Sequence, residues 1–182
     1  MGRHITVSYY KSGIGELVLG AFDGQLCLLD FRYRRMRSVV DRRVMEGLNA
    51  KLVEGEDATI DEARRQVDEY LSGGRREFSL PLLMVGTEFQ RAVWEGLQAI
   101  PYGETASYSG LAKRIGRENA VRAVASANGA NALALVVPCH RVIELDGSVG
   151  GYGGGIRVKE RLLALEQRGR EDYPHGLLKG GL

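Results

Sequence analysis

Cysteine followed at once by histidine, Cys139-His140, is the pair of side chains in this chain best suited to covalent chemistry. A thiolate attacks where a thiol does not, and a neighbouring imidazole is a base able to take the thiol proton. The pair stands in Pro138-Cys-His-Arg141, directly after the apolar run Leu133 to Val137. That run reads as a buried strand delivering the pair to an abrupt edge. Neighbours on an extended strand point to opposite faces, so a water or a turn induced by Pro138 has to join the sulfur to the ring. An unpaired cysteine is equally at home in a core, and the dipeptide alone leaves both readings open.

Other chemistries find less support. His4, His140 and His175 are scattered, and no Cys-x-x-Cys or His-x-x-x-His spacing occurs. Neither a zinc site nor a cofactor is therefore expected. The only other cysteine, Cys27, lies amid very different neighbours. One disulfide remains open, but no apolar signal region follows Met1 and no stretch approaches a membrane span. Two free thiols in a reducing cytoplasm are the expectation. The chain has 182 residues, 44% of them hydrophobic, enough for one or two compact domains. Its net charge of +2 implies no nucleic acid by itself. Lys113, Arg114, Arg117 and Arg122 do crowd one region, either as a solvated helical face or as a binding surface.

The elements that must position the pair follow in order. Ile5 to Tyr10, Glu16 to Phe22 and Gln25 to Phe31 read as strands, with Asp23-Gly24 as a tight hairpin turn, so the chain begins as an antiparallel sheet. Arg32 to Arg43 holds six arginines without regular apolar spacing and reads as a variable surface segment. Thr59-Ile-Asp-Glu62 fits a capping box for a helix carrying Ile60, Ala63, Val67 and Leu71, stopped by Gly73-Gly74. Phe78 to Val85 reads as an extended piece followed by a linker. Thr87-Glu-Phe-Gln90 is a second capping box, opening a helix with Phe89, Val93 and Leu97 on its buried side. That helix ends before Pro101, where a turn Pro101 to Glu104 follows.

Ser107 to Ile115 and Glu118 to Asn128 read as two short helices broken at Gly116, a helix-turn-helix spacing that any αα-hairpin shares. The second helix is stripped to Ala120, Ala123, Ala125, Ser126 and Ala127, with Arg122 standing out. Small residues permit close approach, to a partner or to another helix. Gly147 to Gly155 has six glycines and Tyr152 and reads as a loop, without the Gly-Lys-Ser/Thr ending of a phosphate-cradling loop. Val158, Leu162 and Leu165 mark a last helix carrying Glu166, and Arg168 onward reads as a frayed tail.

Pro138-Cys139-His140-Arg141, preceded by a helix-turn-helix and followed by Gly151-Tyr152, resembles the O6-alkylguanine-DNA alkyltransferases. The resemblance covers residues 87 to 166 with motifs in the right order, and the first half in its size and strand–hairpin start. It implies an α/β (α+β) fold: an N-terminal antiparallel sheet with helix, ribonuclease H-like, over residues 1–84. A mostly helical catalytic and DNA-binding domain with a winged helix-turn-helix-like motif would follow over 85–170, and a flexible tail over 171–182.

It also implies a cytoplasmic monomer that acts on double-stranded DNA containing alkylated guanine, away from any membrane. Such a protein transfers the alkyl group of O6-alkylguanine, and of O4-alkylthymine, irreversibly to its own cysteine. Residue by residue, Cys139 matches the acceptor, and His140 the base that works through a bridging water. Glu166 matches the carboxylate orienting the histidine, Asn131 the residue shaping the active-site turn, and Tyr108 the phenol that protonates the departing guanine. Arg122 matches the arginine that fills the gap left by a flipped base, with Ala123 among the small residues lying in the minor groove. Val142 and Tyr152 match pocket residues. Gly153 departs from relatives that carry side chains there, which leaves pocket size open. A cysteine hydrolase with the same thiol, histidine and carboxylate, and a plain helix-turn-helix regulator, remain the competing readings.

Overall fold

The computed structural model describes residues 3–172. Three strands, β1 (His4–Ser12), β2 (Gly15–Phe22) and β3 (Gln25–Phe31), form the antiparallel meander that the sequence predicts. Asp23 and Gly24 both take positive φ, 49° and 74°, the backbone that a two-residue hairpin of this twist requires. Two further elements arise within the arginine-rich stretch and the residues after it. They are helix α1 (Arg37–Leu48) and a short strand β4 (Lys51–Glu54).

Strand β4 pairs parallel with β1, His4 against Lys51, so the sheet is mixed, in the order β3-β2-β1-β4. Four residues at a sheet edge leave little periodicity to read. The surface segment expected at Arg32 to Arg43 is thus in large part a packed helix: Val40 and Val44 are buried against the sheet, and two arginines fold back on a carboxylate. Asp30, 1% exposed at the end of β3, accepts from Arg34 at 2.9 Å and from Arg37 at 2.8 Å.

Helix α2 (Ala58–Leu71) covers the other face of the sheet through Ile60, Ala63, Val67 and Tyr70. Its cap differs from the expected box. Asp57 is the N-cap and its carboxylate accepts from Thr59 N at 2.7 Å, while Glu62 turns to Arg65 and Gln66. Residues 78–85 run extended, touching β3 at a single bridge between Leu26 and Leu82.

In the second half, α3 (Glu88–Gln98) opens with the expected Thr87–Gln90 capping box. A two-residue strand β5 (Ala106–Ser107) leads into α4 (Tyr108–Arg114), and α5 (Val121–Gly129) follows after the Gly116 break. Helix α3 braces this pair: Trp94 Nε1 donates to Ala127 O at 2.8 Å, and a Cβ at Gly96 would lie 2.7 Å from Ile115. Strand β6 (Val142–Ile143) pairs parallel with β5, and helix α6 (Ile156–Glu171) closes the structure. Helix α6 continues through the point where a tail was expected at Arg168. Of the tail at 171–182, Glu171 still belongs to the helix, and residues 173–182 lie outside the described residues.

One apolar core runs from the α2 face of the sheet into the helical half, and a second lies between the sheet and α1. Asp30 ties β3 to Arg34 and to Arg37 of α1. Asp30→Ala leaves Arg34 without its ionic partner and Arg37 with only Asp41. Losing one member of a buried pair costs roughly 3 kcal/mol, so chemical denaturation is expected to register a loss of that order. A loss well below 1 kcal/mol would show the cluster to be solvated.

Candidate active site

The segment expected to be a strand at Leu133–Val137 is a compact chain of turns. Leu135 adopts φ 69°, a left-handed conformation that a bulky residue rarely takes, and no ladder can continue through it. The amide of Asn131 holds the turns from inside, donating from Nδ2 to Val137 O at 2.8 Å and accepting from Leu133 N at 2.9 Å. Apolar run length does not distinguish a buried strand from a buried turn. The turn nevertheless does what the strand was expected to do. After Pro138 the backbone enters one 3-10 turn, Cys139–Arg141, whose three side chains point into the interior. No hydrogen bond joins Cys139 to His140, in keeping with the expected separation of sulfur and ring.

Next to Cys139 in this turn, His140 is fully buried and its Nε2 lies 2.8 Å from Glu166 Oε1. Glu166, 1% exposed on α6, accepts from Arg141 through Nε at 2.9 Å and Nη2 at 2.9 Å, and from Gly103 N at 3.1 Å. Gly103 has φ 78°, which turns its N–H inward after Pro101. Tyr70 from α2 donates to Oε1 at 2.6 Å. The surface glutamate that helix periodicity alone would suggest is therefore the best-connected buried acid of the chain. Burial would raise its carboxyl, but the bonds and charges of His140 and Arg141 outweigh that and hold it down at about 2.

An ionised carboxylate only accepts, so His140 carries its hydrogen on Nε2. Nδ1 then keeps a bare lone pair, buried and without a hydrogen-bond partner. Burial lowers the proton affinity of His140 against the pull of Glu166, and burial raises the Cys139 thiol against the Asn131 amide. Separately, each group favours its neutral form. A proton passed between them creates two opposite charges that stabilise each other.

Cys139 lines a cavity of about 680 Å³ together with Tyr108, Asn131, Tyr152 and Gly153. Asn128, at the end of α5, lines it too. His140 and Glu166 stand behind the wall. Val142 does not line it: fully buried, it pairs with Ala106 in the β5–β6 ladder. Gly153 accommodates Arg34, whose guanidinium comes within 3.3 Å of where a Cβ would sit. Arg34 also donates to the carbonyls of Gly129 and Asn131, and Arg43 donates to that of Ala130 at 2.6 Å. Arg122 and Ala123 are exposed on α5, away from the buried relay. Among the described residues, no group of three or more His, Cys, Asp or Glu is placed to hold a metal ion.

Several participants carry little signal in the sequence. Arg141 belongs to the recognised tetrapeptide, yet nothing there shows it pairing with Glu166. Lys159, buried with Nζ 3.3 Å from Gly151 O, reads as an ordinary helix charge. Tyr70 lies three residues beyond Val67 on the apolar face of α2, which marks it as core and not as a donor.

Residues 5–84 match the ribonuclease-like domain of 6-O-methylguanine DNA methyltransferase, and residues 88–168 its DNA-binding domain. The chain belongs to the 6-O-methylguanine DNA methyltransferase family. Among curated members, it is 41% identical over 157 residues to the methylated-DNA–protein-cysteine methyltransferase of Methanosarcina barkeri, covering 86% of this chain and 94% of that one. It is 54% identical over 106 residues to the protein of that name from Mycolicibacterium paratuberculosis, covering 58% of this chain and 64% of the relative. The fold superimposes on Mycobacterium tuberculosis OGT in complex with DNA with TM-score 0.75 and 38% identity, covering 91% and 94% of the two chains. In this chain the buried hydrogen-bond network spans both matched segments, with Tyr70 in the first and His140 and Glu166 in the second.

Glu166 also sets a pH signature. Its folded value of about 2 lies below the ordinary 4.5, so its stabilising contribution is complete above about pH 4.5 and fades as pH falls toward 2. The stability gap between the protein and Glu166→Gln is expected to shrink across that window by on the order of 3 kcal/mol. A gap independent of pH would mean that the carboxylate is not held ionised by its partners.

Proposed function

We propose that this protein repairs DNA by taking the alkyl group of O6-alkylguanine onto Cys139, once per molecule. The observation that carries this reading is a buried, unpartnered histidine nitrogen on the residue next to a cysteine that lines a cavity of about 680 Å³, in a family whose curated members are named for methyl transfer from DNA to a protein cysteine. In the step proposed, the thiol proton passes through a bridging water to Nδ1 of His140, and the sulfur attacks the alkyl carbon. The carbon–O6 bond breaks and its electron pair leaves with guanine, which Tyr108 protonates. A thioether remains, so no second cycle follows. Glu166 compensates the imidazolium that forms. Tyr108 suits its part: burial, then the fields of Glu144 and Cys139, keep its phenol protonated.

Guanine's O6 lies inside the stacked duplex, so the base must leave it first, at a cost of a few kcal/mol. Exposed Arg122, amid the small residues of α5, is the side chain proposed to hold the vacated space, with Ala123 against the minor groove. The partner is double-stranded DNA, and the protein works as a monomer. The cytoplasm proposed for it agrees with two free thiols. Among the described residues, no helix is long and apolar enough to cross a membrane.

Incubation with duplex DNA carrying O6-methylguanine is expected to add one methyl mass to the intact protein, on the peptide containing Cys139. Cys27 is 1% exposed, and burial pushes its thiol up to about 12, so it will stay unmodified. Repeated turnover, as a hydrolase would give, or label on Cys27 would overturn the assignment. A regulator that only binds DNA would gain no mass.

Arg122→Ala is expected to slow repair of duplex DNA by on the order of tenfold or more, the scale of a flipping penalty. Its reaction with free benzylguanine, which needs no flipping, stays close to normal. Equal losses on both substrates would place Arg122 in the pocket's support instead.

A further inference from the structure

Tyr70 is a fully buried hydroxyl of the N-terminal half that enters the relay of the C-terminal half. It donates to Glu166 Oε1 at 2.6 Å, and its oxygen lies 3.3 Å from His140 Nε2. His140 donates to the same Oε1 at 2.8 Å, so phenol and imidazole compete for one carboxylate oxygen. The carboxylate does not need Tyr70 for its orientation, because Arg141 grips both oxygens and Gly103 N fixes Oε2. What the phenol changes is how much of the charge on Oε1 reaches His140. A donor to an ionised carboxylate stabilises that ion and makes it a weaker partner for a neighbouring cation.

The charged groups facing His140 are Glu166 on α6, Arg141 on its own turn and Lys159 on α6. Tyr102 stacks edge-on against Tyr70, and Tyr152 against His140. Both arginine and lysine disfavour imidazolium, and Glu166 alone favours it. Tyr70 acts on that single favourable partner.

We propose that Tyr70 is a positioning residue through which the N-terminal half restrains the relay, drawing on Glu166 so that Cys139 and His140 stay a neutral thiol and imidazole in the free protein. The idea rests on the alkyl-transfer reading, and gives it a reason. A protein that is consumed by one reaction loses its function to any stray electrophile that meets a standing thiolate.

The test uses iodoacetamide, whose carbon the Cys139 sulfur attacks with loss of iodide, in full-length protein with Cys27→Ala. Intact mass over time gives the alkylation rate against pH. Tyr70→Phe is expected to move the midpoint of that profile to lower pH by up to about one unit, raising the rate at neutral pH roughly threefold to tenfold. In Glu166→Gln the same Tyr70→Phe change is expected to do nothing, because the oxygen it acts on no longer carries charge. An unmoved or raised midpoint overturns the proposal, as does an equal effect in both backgrounds. Methyl transfer from DNA by the unaltered protein is measured alongside. Failure there would remove the alkyl-transfer reading and leave the iodoacetamide result standing as a statement about the thiol.

Discussion

The carboxylate of Glu166 is the point at which this structure converges. Four residues from three parts of the chain donate to it: Tyr70 from α2, Gly103 from a turn, His140 and Arg141 from the active-site turn. An ionised acid with 1% exposure stands only if such partners repay its lost hydration. The requirement works in both directions. The carboxylate is stable because these elements meet, and they are held in register because each loses a charge-assisted bond if it moves.

Reactivity follows from the same bond. With Nε2 committed to Glu166, the other nitrogen of His140 is left buried and without a partner, in the same turn as Cys139. On the cavity side, Asn131 organises the turn from within while Arg34 and Arg43 hold the carbonyls of residues 129–131 from the first half. The end of α5 and the cysteine are thereby fixed to one frame. The alkyl transfer proposed for this site needs such a shared frame, since attack on the alkyl carbon demands that reacting atoms be aligned.

How much of this could be read from the sequence depended on whether the deciding contact was local. The Thr87–Gln90 box and the Asp23-Gly24 hairpin involve residues a few positions apart, and both appear as expected. The Thr59 box failed by competition, because Asp57 two residues earlier caps the same helix. Leu133–Val137 misleads because a run of buried apolar residues is compatible with any backbone that hides it. The arginines at 34, 37 and 43 look solvated until Asp30 and the carbonyls near residue 130 are in place, 4 to 97 residues away in sequence. Tyr70, 96 residues from Glu166, belongs with them. The His140–Glu166 contact was legible through the ordered motif around it, whereas Val142, assigned to the pocket by the same route, lies in the β5–β6 ladder and does not line the cavity.

The central claim is that Glu166 fixes the Nε2–H tautomer of His140 and leaves Nδ1 as a bare base. Nitrogen-15 chemical shifts of His140 in histidine-labelled protein at neutral pH report this directly. The account predicts a neutral ring with its hydrogen on Nε2 and a pyridine-like shift at Nδ1. A hydrogen on Nδ1, or a doubly protonated ring in the free protein, would contradict it.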